Sequence, residues 1–229
     1  MMYLAGARGI DTTFNVSLNF TGRAGNPFQE PDDNHHIYGG DATGPSDLSS
    51  GDTMEAAIIE RLVAKAATQD PMIRPFLVNG QKKYVLLMHT FDAYNLRSDL
   101  SDGDWADVHK NADGKDNILY QDALGEWADV ILHKHRNVIR FDDSCTHGGV
   151  SYADIDGVSR CLFLGAQAGL IAWGQGYGKS RYTWHEEKDD RGNALSVTAG
   201  SIYGVKKTRF NNKDFGVISV DVASSDPNA

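Results

Sequence analysis

The sequence predicts an α+β fold. Three observations carry it: one strong amphipathic helix pattern after residue 52, two short apolar runs in the middle of the chain, and strand-like segments that dominate its C-terminal part. The 229 residues are 41% hydrophobic and 23% charged, enough for one large domain or two small lobes sharing a core.

Residues 1–53 read mostly as loop, punctuated by Gly6, Gly9, Gly22, Gly25, Gly39, Gly40, Gly44 and Gly51 with Pro27, Pro31 and Pro45. MMYLAGARG reads as the tail of a helix entering a glycine-containing loop, not as a signal peptide. Phe14, Val16, Leu18 and Phe20 alternate and predict one short strand. Met54, Ile58, Leu62 and Ala66, with Ile59 and Val63, then form one apolar stripe at helical spacing. Asp52 is the expected cap, paired with Glu55, and Pro71 blocks continuation. Lys83 to His89 is an apolar run suited to a buried strand, and Thr90 is the expected cap of a short helix through Leu96. Residues 98–117, rich in Asp, Asn and Gly, read as an exposed loop. Asp129 to His135 is a strand, 141–159 a polar loop, 160–165 a strand and 166–173 a short helix. Tyr182, Trp184 and Glu186 share one face of a strand at 181–188. Two strands at 201–210 and 215–222 flank the turn residues Asn211 to Asp214, and Ser224 to Ala229 reads as a frayed tail.

A formal charge of −9 argues against a dedicated nucleic-acid binder, which would show a basic face. Lys206-Lys207-Thr208-Arg209 is the densest basic run and reads as a solvated strand edge. Two cysteines, Cys145 and Cys161, do not make a disulfide framework, and Cys161 reads as a small buried hydrophobe. No apolar run is long enough for a transmembrane helix.

The chemical candidates are weak. His35 and His36 follow Asp32 and Asp33, but adjacent side chains diverge and rarely bind one ion together. His133 and His135 share a strand face, with His147 or Cys145 as a third zinc ligand, yet no ligand motif accompanies them. Cys145 and His147, near Asp142 and Asp143, could form a thiol–imidazole pair if the loop held them in reach. Asp99, Asp102, Asp104, Asp107, Asp113 and Asp116 do not follow the calcium-loop pattern. Gly174 to Lys179 is glycine-rich but does not open a helix, so a phosphate cradle is not expected. These readings assign no catalytic, cofactor-binding or metal residue.

Several segments in order carry a family likeness: Met54 to Ile73, Tyr84 to Asp99, Asp129 to Arg140, Arg160 to Gly174, and Arg181 to Val222. Across about residues 10 to 222 the chain resembles the major capsid proteins of the N-four-like phage family, whose members adopt the Hong Kong 97-type fold. Against that family the sequence is expected to lack the N-terminal arm, the extended loop and most of the spine helix. The resemblance implies the end of the spine helix and a long loop at 1–51. It implies an axial-type domain at 52–174 and 201–222, a peripheral-type segment at 175–200 and a flexible tail at 223–229. It also implies a structural subunit, not an enzyme, with no cofactor. Pentamers and hexamers of the full-length protein would close a shell around DNA in the virion, after synthesis in the host cytoplasm. The expected partners are copies of the chain and scaffold, portal or decoration proteins, with no membrane. The loops at 98–117 and 141–159 are the expected intersubunit contacts, with Trp105, Trp127 and Trp184 as exposed aromatics. Two alternatives stand beside this: an encapsulin-like compartment of the same fold, and a thiol or metal hydrolase using Cys145, His147, His133 and His135.

Overall fold

The computed structural model describes residues 1–7, 9, 27–112, 123–155, 157–174 and 181–227. The expected strand at 14–20 and most of Gly174 to Lys179 lie outside them. The chain divides into two compact units, Met1–Ala168 with Lys207–Ala229, and Gly169–Lys206.

The first unit is built on one mixed sheet. Its principal strands are β1 (His36–Tyr38), β3 (Gln81–Met88), β4 (Gly125–Trp127), β5 (Val130–Lys134), β9 (Val158–Leu164) and β16 (Val217–Ala223). They lie in the order β1-β16-β9-β3-β5-β4, with β2 (Phe76–Val78) on β3 and β6 (Ile139–Phe141) on β9. β1 runs parallel to β16 and β3 parallel to β5, while β9 is antiparallel to both β16 and β3. The strand period of two sorts the side chains between two faces. Leu86, Met88, Cys161, Phe163, Ile218, Val220 and Val222 join the core with the helices, and Ile139, Phe141, Val158, Leu162 and Val217 build a second core. The central strands therefore read as continuous apolar runs because both faces are covered.

The first core is capped by α2 (Ala56–Thr68), α3 (Thr90–Asp99) and α4 (Asp102–Ala112). Ile58, Ile59, Leu62 and Ala66 of α2 are buried, as their spacing requires. The expected caps shift by a few positions. Asp52 accepts from the Ser49 backbone and hydroxyl within the preceding turn, and α2 begins after Glu55 without a side-chain cap. At α3 the N-cap is His89, not Thr90: its ring accepts from the Phe91 N–H, and Asp92 accepts from the His89 N–H in return.

Four sequence expectations fail for local reasons. The stretch at 98–117 is not a loop, because α4 occupies 102–112; Asp113 and Asp116 lie outside the described residues. Ser101 opens α4, its hydroxyl accepting from Asp104 N–H and donating to the Asp104 carboxylate, and Val108 is fully buried. Gly125 lets β4 approach α4, since a Cβ there would sit 2.5 Å from the Val108 carbonyl oxygen. Residues 166–173 are not helical: a turn with Gln167 at φ 66 leads into β10 (Gly169–Trp173), which pairs with β13 (Tyr203–Lys207). The segments 201–210 and 215–222 are not one hairpin. Only β14 (Arg209–Phe210) and β15 (Lys213–Asp214) pair there, across Asn211 and Asn212 in left-handed conformation, while β16 joins the main sheet. The tail frays later than expected, because Ala223 and Ser224 are buried and Ser224 N–H bonds the Gly157 carbonyl.

Phe163 sits fully buried between sheet and helices, so Phe163→Ala is expected to cost about 3–5 kcal/mol in denaturant unfolding. Tyr94→Ala, on the exposed face of α3, is expected to stay within about 0.5 kcal/mol of the parent.

Candidate assembly surface and its buried anchor

Arg160 of β9 and Asp221 of β16 are direct cross-strand partners on the sheet face away from the helices, and both are essentially inaccessible. The guanidinium donates from Nε and Nη2 to the two carboxylate oxygens, each at 2.8 Å. It also donates to the Tyr152 hydroxyl and to the Ala5 carbonyl of α1 (Met2–Ala5). Its plane lies 4.8 Å from the Phe141 ring centroid, and Phe141 stacks on Tyr152. Tyr152 donates to Asp221 Oδ2 at 2.6 Å, and His36 Nε2 donates to the same oxygen at 2.8 Å. Burial opposes ionisation of Asp221, yet Arg160 and then His36 hold its carboxyl well below the usual carboxylate range.

The network continues outward. His36 Nδ1 faces His147 Nε2 at 3.0 Å, and His147 Nδ1 faces Glu30 at 3.6 Å. The pair borders a cleft of about 440 Å³ that Asp33, Tyr38, Thr43 and Arg61 also line. Burial, then the neighbouring His36 and Arg160, pull the His147 pKa down to about 4.

The structure redistributes the sequence candidates. His36 joins His147 and Asp221, a grouping invisible in sequence because the three come from distant segments. His35 bonds Asp32 instead. Cys145 and His147 do not form the candidate thiol–imidazole pair: His147 is turned to His36 and Glu30, and burial pushes the Cys145 thiol up, the wrong direction for a nucleophile. His135 lies past the end of β5, where Nδ1 accepts from Asn137 N–H, so it does not share a strand face with His133. Among the described residues no group of three or more His, Cys, Asp and Glu is placed to hold a metal. Cys161 is buried, as its sequence context indicated, and donates to Asp92. In the basic run, Lys207 is buried against Asp214 at 2.7 Å, with Arg209 on the same carboxylate, so that run is not a wholly solvated edge. The expected contact loop at 141–159 is mixed: Phe141, His147, Tyr152, Val158 and Ser159 are buried, whereas Asp143, Ser144, Thr146 and Gly148 to Ser151 are exposed.

The second unit is the more exposed one among the described residues. β11 (Tyr182–Asp189) and β12 (Ala194–Ser201) form an antiparallel hairpin in which every residue except Gly200 is exposed. The register puts Tyr182 opposite Ser201, Trp184 opposite Ala199, Glu186 opposite Val197 and Lys188 opposite Leu195. One face therefore carries Tyr182, Trp184, Glu186 and Lys188 with Ser201, Ala199, Val197 and Leu195, while the other carries Thr183, His185, Glu187 and Asp189 with Gly200, Thr198, Ser196 and Ala194. Of the aromatics expected at the surface, Trp184 is 66% exposed, whereas Trp105 and Trp127 are half-buried.

Arg160→Met leaves a buried carboxylate short of its main counter-charge and is expected to cost about 3–5 kcal/mol, with part recovered in Arg160→Met/Asp221→Leu. Equal stability of the single and double variants in denaturant unfolding would show that the pair is not coupled. His147 has a depressed pKa, so the unfolded chain binds more protons below about pH 6.5. The stability tied to its neutral form is complete above that pH and declines towards pH 4, by no more than about 1.4 kcal/mol per pH unit. His147→Gln is expected to flatten the stability profile in that window.

The sequence matches the profile of the phage capsid protein family over residues 1–226. None of the curated protein sequences matches the chain. Among solved structures, the capsid of Ralstonia phage GP4 is similar at 41% identity and TM-score 0.84, over 100% of this chain and 63% of that one. The Cyanophage Pam1 capsid asymmetric unit is similar at 22% identity and TM-score 0.61, covering 85% of this chain and 55% of that one. The acidic stable capsid structure of Helicobacter pylori bacteriophage KHP30 follows at 18% and 0.53, covering 74% and 57%. At these lower identities the likeness is one of fold. The chain spans less than two thirds of the length of each of these capsid chains. A match across nearly its whole length, together with 41% identity to a capsid chain, identifies this protein as a member of the phage capsid protein family.

Proposed function

We propose that the chain acts as the major capsid subunit of a tailed bacteriophage or prophage, with the Hong Kong 97-type fold, assembling into an icosahedral shell that encloses DNA. The observation that carries this reading is the agreement of all of this chain with 63% of a capsid chain, at 41% identity and TM-score 0.84. In this reading 52–174 and 201–222 form the axial-type domain and 175–200 the peripheral-type segment. The separation of Gly169–Lys206 as its own compact unit supports a division in that region.

A shell subunit works by burying complementary surfaces on identical neighbours, so its demands are a rigid body and exposed contact elements. The two-sided core and the Arg160–Asp221 network supply the first, and the hairpin supplies the second. A net charge of −9 suits a container that holds DNA without gripping it. The partners in this reading are copies of the chain in pentamers and hexamers, with scaffold, portal or decoration proteins. The site of action is the virion, after synthesis in the host cytoplasm.

The test is expression from the complete coding region together with the flanking head genes, followed by negative-stain electron microscopy. Uniform closed shells containing this protein as their main component are the expected result. A folded, soluble species that yields no particles under those conditions contradicts the proposal.

A further inference from the structure

The short hairpin of β7 (Thr146–His147) and β8 (Val150–Ser151) carries one buried side chain. From Asp143 to Ser151, His147 is the only buried residue, and every other except the half-buried Cys145 is exposed. Its turn is Gly148-Gly149, at φ 58 and 81, with open space where either Cβ would stand. A two-stranded hairpin of this size is marginal at best in water by itself. Its further ties are peripheral. Gly148 N–H donates to the exposed Glu30 carboxylate at 3.2 Å, and beyond β8 Tyr152 N–H bonds the Cys145 carbonyl and Ala153 N–H the Pro45 carbonyl. His147, Gly148 and Val150 line the cleft of about 440 Å³ beside His36 and Tyr38. What seats His147 therefore holds the hairpin along the cleft.

We infer that the His36–His147 contact is a proton-released latch: one proton between the two rings seats the β7–β8 hairpin along the cleft, and a second proton on the pair releases it. His36 Nδ1 and His147 Nε2 lie 3.0 Å apart, so one ring donates and the other accepts. With both rings protonated, both nitrogens are donors and the bond is lost. Two cations then stand with ring centroids 4.4 Å apart. The surroundings decide which ring yields. His36 is held on its other side, where Nε2 bonds Asp221 of β16 at 2.8 Å. His147 is backed by Glu30, 3.6 Å from Nδ1 and 54% exposed, so water screens that attraction. Arg160 of β9 adds positive charge, and Asp221 is already bonded to Arg160, Tyr152 and His36. The phenols of Tyr38 and Tyr152 stay neutral, because burial and then Asp221 push both well above their ordinary range. Asp33 and Arg61, of opposite charge, line the same cleft. Burial, His36 and Arg160 together disfavour a charged His147, the direction already noted for its pKa. Release returns the ring to water and its ordinary pKa of about 6.5. The seated form is therefore fully favoured above that pH and loses ground as pH falls towards 4. Such a latch is a property of the single subunit, independent of assembly.

The test is hydrogen–deuterium exchange of the unassembled full chain, read by mass spectrometry and corrected for the intrinsic pH dependence of exchange. Residues 145–152 are compared with α2 as an internal reference, at pH 7.5 and pH 5.5. Carboxylates stay ionised across that window, so a change within it belongs to histidine. Protection of 145–152 is expected to fall about tenfold at pH 5.5, one unit below the ordinary histidine pKa, while α2 keeps its own. In His147→Gln the two pH values are expected to agree within about threefold. Equal protection of 145–152 at both values in the parent overturns the inference. So does the same tenfold fall in His147→Gln, and so does an equal loss in α2, which marks global unfolding. If glutamine does not seat and the variant's segment exchanges freely at both values, the parent's profile decides. A fall that begins between pH 7 and 5.5 supports the latch, and one that begins only below pH 5 assigns the opening to carboxylates and overturns it.

Discussion

The buried pairing of Arg160 with Asp221 ties together elements that no local sequence signal would join. It is a cross-strand pair at the junction of β9 and β16, and through Ala5, His36 and Tyr152 it reaches α1, β1 and the segment after β8 (Val150–Ser151). A lone charge in such a place would be prohibitive. Here the guanidinium and carboxylate satisfy one another, the remaining guanidinium donors end on Tyr152 and Ala5, and Tyr152 and His36 donate to the carboxylate. Ion pairs of this kind contribute little net stability compared with a well-packed apolar pair, but they penalise every arrangement that separates their members. The network therefore fixes which segments close over the outer face of the sheet.

That face contrasts with the opposite one, where ordinary apolar packing suffices. Ile58, Ile59 and Leu62 press on Leu86, Phe163 and Val220, and the arrangement follows from helical and strand periodicity. This half of the fold was legible in sequence, including α2, β3 and β5 and the burial of Cys161. The outer face was not, because its determinants lie far apart: 61 residues separate Arg160 from Asp221 and 185 separate His36 from it. Neither His36 nor His147 carries a local pattern that distinguishes a network member from a loop histidine.

The remaining differences have local causes. An Asp-rich stretch became α4 because Ser101 and Asp104 open it and Val108 anchors it, a Ser-x-x-Asp signal present in the sequence but outweighed by composition. Residues 169–173 became a strand because the preceding turn passes through left-handed Gln167 and Leu-Ile-Ala-Trp suits a pleated surface as well as a helix. The alternation of Tyr182, Trp184 and Glu186 was legible, but only the register with β12 shows that Val197 and Leu195 extend the same face.

The two units differ in kind: the sheet unit holds two apolar cores and a buried ion-pair network, and the hairpin of the other unit is almost wholly exposed. The most direct measurement is a side-chain-resolution reconstruction of the assembled shell by electron cryomicroscopy. The account predicts this protein as the repeating unit of the shell, with the Arg160–Asp221 network intact within each subunit. Shells built from a different main protein, or subunits in which Arg160 and Asp221 are parted, would contradict it.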